Sequence, residues 1–270
     1  MNTKFLFYAR AGLFAKAVLF LAIGVLTTMA AFNLGGFKTG SFTLMNFLAE
    51  KAAGRALLIL WAVALSGYVF WRVYESIADK REFGNDLTGI AERIGFGFGG
   101  LVYAFLAVSA LLVALNPQTS SWLKETDMQQ LIQTDLGKYT VMAIAVGMLG
   151  ATLNEFYIAI SRKFSRTIAI ESVKPFYKKL ILTSGMIGYA SRGITLGIAS
   201  FLLWDSAFTN RDLEDTNKEA AFSVMEYLFG NWTLGVIALG FITYSCYVFV
   251  EVRYRNLQTF RKNPDTSPGL

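Results

Sequence analysis

The sequence contains no histidine, a single cysteine and only 4 prolines among 270 residues. Without histidine, the chain lacks the commonest general base and transition-metal ligand, and Ser–His and Cys–His nucleophilic pairs are excluded. The lone Cys246 has no partner within the chain, so no disulfide framework can form. We therefore predict no cofactor and no metal site, and we do not expect an enzyme.

Charged residues are also scarce, at 16% of the chain, whereas 54% of the residues are hydrophobic. The hydrophobic residues form six runs of about 20 residues, and a helix of that length spans roughly 30 Å, the hydrocarbon thickness of a bilayer. A chain in lipid must satisfy its own backbone hydrogen bonds, so the runs predict six transmembrane helices in an all-α integral membrane protein. They cover residues 13–33, 56–77, 95–115, 139–160, 180–204 and 232–252.

Glycine spacing indicates that a two-helix unit occurs three times. In each unit the same 42 residues separate two glycines, and small residues follow the second glycine at ten and thirteen positions. Three equal spacings are the signature of an internal repeat. Because each unit has two spans, the units are parallel and related by a pseudo-threefold axis along the membrane normal. We place them at residues 8–79, 91–162 and 184–255, followed by a flexible cytoplasmic tail at 256–270.

The repeated small residues lie on one face of each helix, where they allow two backbones to approach closely. We interpret the G-x-G-x-x-G string at Gly95, Gly97 and Gly100 in the same way, since no strand precedes it. Helix packing is predicted at Gly12, Gly54, Gly67, Gly95, Gly99, Gly137, Gly147, Gly150, Gly188, Gly193, Gly197, Gly230 and Gly240.

The repeat carries short motifs, which are Arg10-Ala-Gly12, Arg93-Ile-Gly95, Gly67-Tyr68 and Trp71-Arg72. With these motifs the chain resembles the bacterial membrane family called domain of unknown function 1206, and the resemblance implies three tandem two-helix units and no particular activity. The later units depart from the pattern, because Asn154-Glu155 and Tyr247-Val248 replace its aromatic–arginine pair, so the units need not share a function equally.

Basic residues are concentrated on one side of the predicted membrane, and this placement accounts for the net charge of +6 without a nucleic-acid partner. The positive-inside rule then places both termini in the cytoplasm of a bacterial inner membrane. A topology signal is the simplest interpretation of the most basic connection. The alternative is a site for anionic lipid, to which each cation contributes about 1 kcal/mol. Its basic residues are Arg162, Lys163, Arg166, Lys174, Lys178 and Lys179.

Amphipathic segments at residues 41–54, 125–137 and 216–230 precede the second helix of each unit, and we predict that each is a short helix in the membrane interface. Tryptophan has a related distribution. Trp122, Trp204 and Trp232 lie near predicted outer boundaries, where aromatic side chains anchor a protein in the headgroup region.

Ionisable residues inside the predicted spans are the most informative for function, because an uncompensated charge at mid-membrane costs about 2.5 to 3.5 kcal/mol. In one interpretation the basic side chains reach the interface or pair with the acids, and so fix the order of the helices. In the other, Lys16, Asn154, Glu155 and Arg192 line a water-reachable pocket that binds an ion, an anionic solute or a lipid headgroup. The full candidate set is Lys16, Arg72, Glu75, Asn154, Glu155, Arg192 and Glu251.

Three functional classes remain open at this point. The leading hypothesis is a non-catalytic membrane protein that binds lipid or a membrane partner. A transporter or channel for a small solute or ion is the alternative, supported by internal repeats and intramembrane charges. A membrane-embedded enzyme ranks last, since it would depend on Glu, Lys or Tyr alone.

Overall fold

The protein is all helical in the computed structural model, which describes residues 3–36, 38–77, 87–116, 134–168, 175–209 and 218–254. Seven α-helices and one 3-10 helix lie within these ranges. They are α1 (Thr3–Ala31), α2 (Ser41–Ala49), α3 (Ala52–Ile77), α4 (Leu87–Leu115), α5 (Asp135–Ser161), the 3-10 helix (Lys163–Thr167), α6 (Pro175–Thr209) and α7 (Lys218–Tyr254).

Five of the helices are long and apolar enough to cross a membrane, compared with the six spans predicted. The sixth candidate, in α4, has a shorter apolar segment at Gly99–Leu115. Large hydrophobic side chains are exposed on the outside of the bundle, as expected for surfaces that face lipid. The five spans are Phe7–Ala31, Ala52–Tyr74, Asp135–Ser161, Tyr177–Phe208 and Phe229–Tyr254.

Short helical segments precede two of the second helices, as the amphipathic pattern predicts. In the first unit, α2 stands directly before α3. In the third, the backbone of Gly230 has φ 79° and ψ 169°, which kinks α7 and separates its first turns from the spanning part. Most of the corresponding segment of the second unit, 125–137, lies outside the described residues, as do Trp122 and the tail at 256–270.

The six long helices are neighbours in the spatial order α5, α6, α7, α1, α3, α4. The most extensive contacts join helices of different units, which are α1 with α7, α5 with α6, and α3 with α4. Within units, α1 packs on α3 and α6 packs on α7. Among the described residues, however, α4 and α5 make almost no contact with each other, although they form one unit. The series of helices is therefore open at one position.

Aromatic packing and interhelical hydrogen bonds hold α1 against α7. The ring of Phe20 stacks on Phe241, with centroids 5.7 Å apart, and meets Tyr244 edge-on at 4.9 Å. The hydroxyl of Ser245 donates a hydrogen bond to the carbonyl of Ala17 at 2.8 Å. Such a bond is stabilising here because lipid offers the hydroxyl no other partner.

Glycines permit the close approach of helices within the first and third units. A Cβ atom on Gly12 would lie 2.6 Å from the backbone nitrogen of Tyr68, and one on Gly188 would lie 2.6 Å from the Cα of Tyr244. Gly99, Gly150 and Gly230 differ from the packing predicted for them, because no atom of the described residues lies within 4 Å of the position of their Cβ atoms. Gly99 and Gly150 belong to the second unit, whose two helices are apart, whereas Gly230 forms the kink of α7.

Candidate functional site

Charged and tyrosine side chains from six helices meet inside the bundle, and we call this group the central cluster. Each of α1, α3, α4, α5, α6 and α7 contributes one residue, and two pairs of these residues, Lys16 with Arg192 and Tyr68 with Tyr244, occupy equivalent repeat positions. The central cluster consists of Lys16, Tyr68, Tyr103, Glu155, Arg192 and Tyr244.

Lys16 lies in a cage of three tyrosine rings. Its Nζ is 5.4 Å from the ring centroids of Tyr68 on α3, Tyr103 on α4 and Tyr244 on α7. The residue is only 4% exposed. A desolvated cation over an aromatic face gains about 2 kcal/mol, so the rings replace part of its lost hydration. Among the described side chains, no carboxylate pairs with Lys16.

Arg192 on α6 is the second cation of the central cluster, and it has a carboxylate partner. Its Nη2 lies 3.0 Å from Oε1 of Glu155 on α5. Its Nη1 donates a hydrogen bond to the hydroxyl of Tyr244 at 2.7 Å. The other carboxylate oxygen, Oε2 of Glu155, is buried and has no hydrogen-bond partner in the described part of the chain. The cluster therefore has one neutralised cation, one caged cation and one free acceptor.

The remaining candidate residues lie around this cluster or away from it. Nε of Arg72 donates to the hydroxyl of Tyr68 at 2.8 Å, which connects Arg72 to the cage. Glu251 is buried on α7. Asn154 is exposed on α5 and does not belong to the cluster. The side chain of Glu75, on α3, lies outside the described residues.

The tyrosines of the cage are the functional residues that the sequence analysis missed. Tyr68 and Tyr244 occupy the same repeat position, fourteen residues after Gly54 and Gly230. A tyrosine at equal spacing in two units, each near an intramembrane cation, is a signal that could have found them. Tyr103 lacks such a counterpart, and its role depends on the approach of α4 to α3.

A second group of cations lines a cavity at the junction of α5 and α6, which we call the interfacial pocket. Its volume is about 350 Å³, and cations stand beside aliphatic side chains in its wall. It brings together three of the six basic residues predicted for anionic lipid. Lys163 instead lies over the ring of Tyr157, at 5.1 Å; Lys174 and the side chain of Arg166 are outside the described residues. The pocket is lined by Arg162, Lys178, Lys179, Leu182, Thr183 and Met186.

The backbone holds the interfacial pocket in a fixed form. Arg162 ends α5 in the left-handed region, with φ 53° and ψ 27°, and this turns the chain into the 3-10 helix. Phe164, in that helix, is buried with its ring 5.4 Å from Tyr189 and 5.1 Å from Tyr247. Its carbonyl accepts a hydrogen bond from the hydroxyl of Tyr247 at 3.2 Å. The α5–α6 connection is thus anchored to the core.

No group of three or more histidine, cysteine, aspartate or glutamate side chains capable of holding a metal ion occurs among the described residues. The chemistry available at both sites is therefore that of cations, tyrosine hydroxyls and single carboxylates. These groups can bind an anion by charge and hydrogen bonding.

The fold and these sites define an all-helical protein with several membrane-spanning candidates, built from tandem helical units. The chain belongs to the family described as Domain of Unknown Function (DUF1206), whose profile matches it three times, at residues 11–79, 94–162 and 187–255. It is similar to the uncharacterized protein YxxB of Bacillus subtilis (strain 168), with 25% identity over 252 residues, which cover 93% of this chain and 91% of the relative. No solved structure matches the chain.

Proposed function

We propose that this protein is a non-catalytic integral membrane protein that binds anionic lipid through the interfacial pocket. The observation that carries the proposal is the convergence of Arg162, Lys178 and Lys179 around a cavity whose wall also includes Leu182 and Met186. A phospholipid matches this combination of cationic and apolar residues, because its anionic phosphate lies beside its glycerol and acyl chains. Cations near a membrane surface attract such headgroups by about 1 kcal/mol each.

We further propose six membrane spans in three parallel units about a pseudo-threefold axis, in a bacterial plasma membrane. Support for the sixth span comes from the position of α4, which packs along α3 as the other helices pack on their neighbours. The distribution of basic residues favours cytoplasmic termini. This orientation places the interfacial pocket in the cytoplasmic leaflet, where anionic lipids carry a negative surface potential.

The non-catalytic part of the proposal rests on the sequence and on the central cluster. With no histidine in the chain, acid–base chemistry near neutral pH has to come from a strongly perturbed group. The buried carboxylate of Glu155 is paired with Arg192. This pairing is consistent with a structural role, and it makes Glu155 less available as a general base.

A small-anion transporter is the second candidate, and the caged Lys16 favours it. A buried cation without a described carboxylate partner, at the centre of a repeat protein, resembles the midplane binding sites of transporters. Transport predicts chloride or phosphate uptake by proteoliposomes that contain the purified protein. Uptake equal to that of empty liposomes would leave lipid binding as the function.

Native mass spectrometry of the detergent-purified full chain tests lipid binding. We expect phosphatidylglycerol to bind more tightly than phosphatidylcholine, because only the former is anionic. Replacing Lys178 and Lys179 by glutamine removes two cations. The affinity of the variant for phosphatidylglycerol should therefore fall roughly 10- to 30-fold, at about 1 kcal/mol for each charge.

A matched control removes the same charge from the opposite end of the bundle. The double variant Lys38→Gln/Lys138→Gln should retain wild-type affinity, because neither residue lies in the interfacial pocket. If both double variants lose phosphatidylglycerol equally, or if neither does, the interfacial pocket is not the lipid site.

A further inference from the structure

The opening between α4 and α5 is the feature of the fold that neither lipid binding at the interfacial pocket nor helix packing explains. In the first and third units the two helices pack closely, whereas in the second unit the described parts of α4 and α5 are apart. Exposed small residues line this opening. Gly150 on α5 has the same repeat position as Gly67, whose Cβ would lie 2.5 Å from the carbonyl oxygen of Tyr8.

At two repeat positions the second unit carries small residues where the other units carry long side chains. At the position where the other units carry Lys16 and Arg192, the second unit has Gly99. Similarly, where they carry Tyr68 and Tyr244, it has Ala151. The second unit therefore lacks both a long cation and a tyrosine ring at one depth. The space beside Gly99 is open, which agrees with this loss of volume.

The inner end of the opening is the central cluster. On α4, Tyr103 follows Gly99 by four residues, so both lie on one face of the helix. On α5, Glu155 follows Ala151 by the same interval, so these two residues also lie on one face of their helix. Tyr103 contacts Lys16, and Glu155 contacts Arg192, so the two helices that border the opening also border the cluster.

The charges at this inner end favour an anion. Arg192 is neutralised by Glu155, and Arg72 is held by Tyr68 and lies over its ring. Lys16 is instead surrounded by three aromatic rings. An oxyanion beside Lys16 would compensate a buried charge, which is otherwise costly in the membrane.

Glu155 provides the second, independent observation that points to a ligand. The residue is only 8% exposed, and its Oε2 has no hydrogen-bond partner among the described residues. A buried acceptor without a donor costs about 1 to 3 kcal/mol. A headgroup that carries both an anionic oxygen and a hydroxyl donor satisfies Lys16 and Glu155 together.

We propose that the opening between α4 and α5 admits a single-chain amphiphile from the membrane, and that its oxyanion headgroup, a phosphate monoester or a carboxylate, binds at Lys16. The apolar chain then leaves the bundle along Val102 on α4 and Gly147 and Gly150 on α5, all of which are exposed or open.

Equilibrium binding of radiolabelled lauryl phosphate and laurate to the purified full chain tests this proposal. Both probes share a chain and an oxyanion, but the phosphate monoester keeps a hydroxyl proton for donation to Glu155 only below its second pKa of about 6, so binding is measured at about pH 5.5. We expect saturable binding of one molecule per chain, tighter for lauryl phosphate. Tighter binding of laurate would identify carboxylates as the natural class and leave the hydroxyl contact unsupported.

Gly150→Trp is the variant that fills the opening. It is expected to fold, because no atom of the described residues lies within 4 Å of a Cβ placed on Gly150. We expect at least a tenfold loss of probe affinity. Lys16→Gln should cause a similar loss without closing the opening. Leu149→Trp is the matched control, because Leu149 is 50% exposed one residue earlier on the lipid-facing side of α5, and it should bind the probes normally. If Gly150→Trp misfolds, Gly99→Leu fills the same opening from α4.

The outcome is separate from that of the lipid-binding proposal. The Lys178→Gln/Lys179→Gln variant should bind both probes with wild-type affinity even where it loses phosphatidylglycerol. The inference is overturned if the wild-type protein binds neither probe saturably, or if affinity is unchanged in Lys16→Gln or in a correctly folded variant with the opening filled.

Discussion

Arg192 and Glu155 form an ion pair of 3.0 Å that joins α6 to α5 across the boundary between the third and second units. Both side chains are largely buried, at 15% and 11% exposure. The guanidinium also reaches Tyr244 on α7, so a single residue connects three helices. The pair holds α5 to α6, which is important because the described parts of α5 and α4 make almost no contact.

Breaking this pair is expected to destabilise the protein. Glu155→Gln keeps the size of the side chain but leaves the Arg192 charge buried without a counter-charge. Removing one partner of a buried pair costs about 3 to 5 kcal/mol. The thermal unfolding midpoint in detergent should fall accordingly. The double variant Glu155→Gln/Arg192→Gln should lose less than the two single variants added together, since neither charge remains. An unchanged midpoint for Glu155→Gln would contradict the structural role.

Equivalent glycines in different units should tolerate substitution very differently. Gly67→Leu forces α3 away from the backbone of Tyr8, and overpacking of this kind costs typically 1 to 3 kcal/mol. Gly150→Leu places the same side chain in open space, so its free energy of unfolding should stay within about 0.5 kcal/mol of wild type. Urea or thermal unfolding of the two variants under identical conditions measures the difference. Equal losses would mean that α4 closes on α5 in the membrane.

These glycines also illustrate what the sequence could and could not predict. The glycine spacing predicted three two-helix units, which the family profile also matches, and it placed Lys16 and Arg192 at one repeat position. A glycine on a helix face, however, permits close packing without requiring it, because the partner helix must also approach. Gly67 and Gly150 are therefore indistinguishable in the sequence, although one is packed and the other is open.

The composition of the site had a similar limit. Asn154 was predicted to line the same pocket as Glu155, but successive residues on a helix point about 100° apart, and only Glu155 faces the cluster. Tyr103 was missed since it reaches Lys16 through contacts between units, and the spacing within one unit contains no information about these. The pairing of Glu155 with Arg192 was among the interpretations offered, because opposite charges buried at one depth tend to meet.

A third prediction concerns Lys38 and Glu226, which form an ion pair between the chain before α2 and the first part of α7. The side chains are 32% and 29% exposed, so water screens their attraction. Partly exposed pairs contribute about 0 to 1 kcal/mol. Glu226→Gln should therefore shift the unfolding free energy by less than 1 kcal/mol, far below the effect of Glu155→Gln. A larger loss would indicate that this end of the bundle excludes water.

The strained backbone of Arg162 allows stability and lipid binding to be separated. A non-glycine residue in the left-handed region is disfavoured by roughly 1 to 2 kcal/mol, and glycine is not. Arg162 has this disfavoured backbone conformation, with φ 53°, and its side chain lies in the wall of the interfacial pocket. Arg162→Gly should therefore leave the unfolding free energy unchanged or raise it by up to about 1 kcal/mol. Affinity for phosphatidylglycerol should nevertheless fall several-fold, about 1 kcal/mol for the lost cation.

Asn33 offers the matched comparison, because it also has a left-handed backbone, with φ 56°, and lies just after α1 at the opposite end of the bundle. Asn33→Gly relieves less strain, since asparagine tolerates this region better than arginine does. The variant should change the free energy of unfolding by no more than a few tenths of a kcal/mol, and it should leave the affinity for phosphatidylglycerol unchanged. Native mass spectrometry and thermal unfolding of both variants provide the two readouts. If Arg162→Gly lowers stability and leaves phosphatidylglycerol binding intact, then Arg162 is a structural residue and the interfacial pocket does not use it.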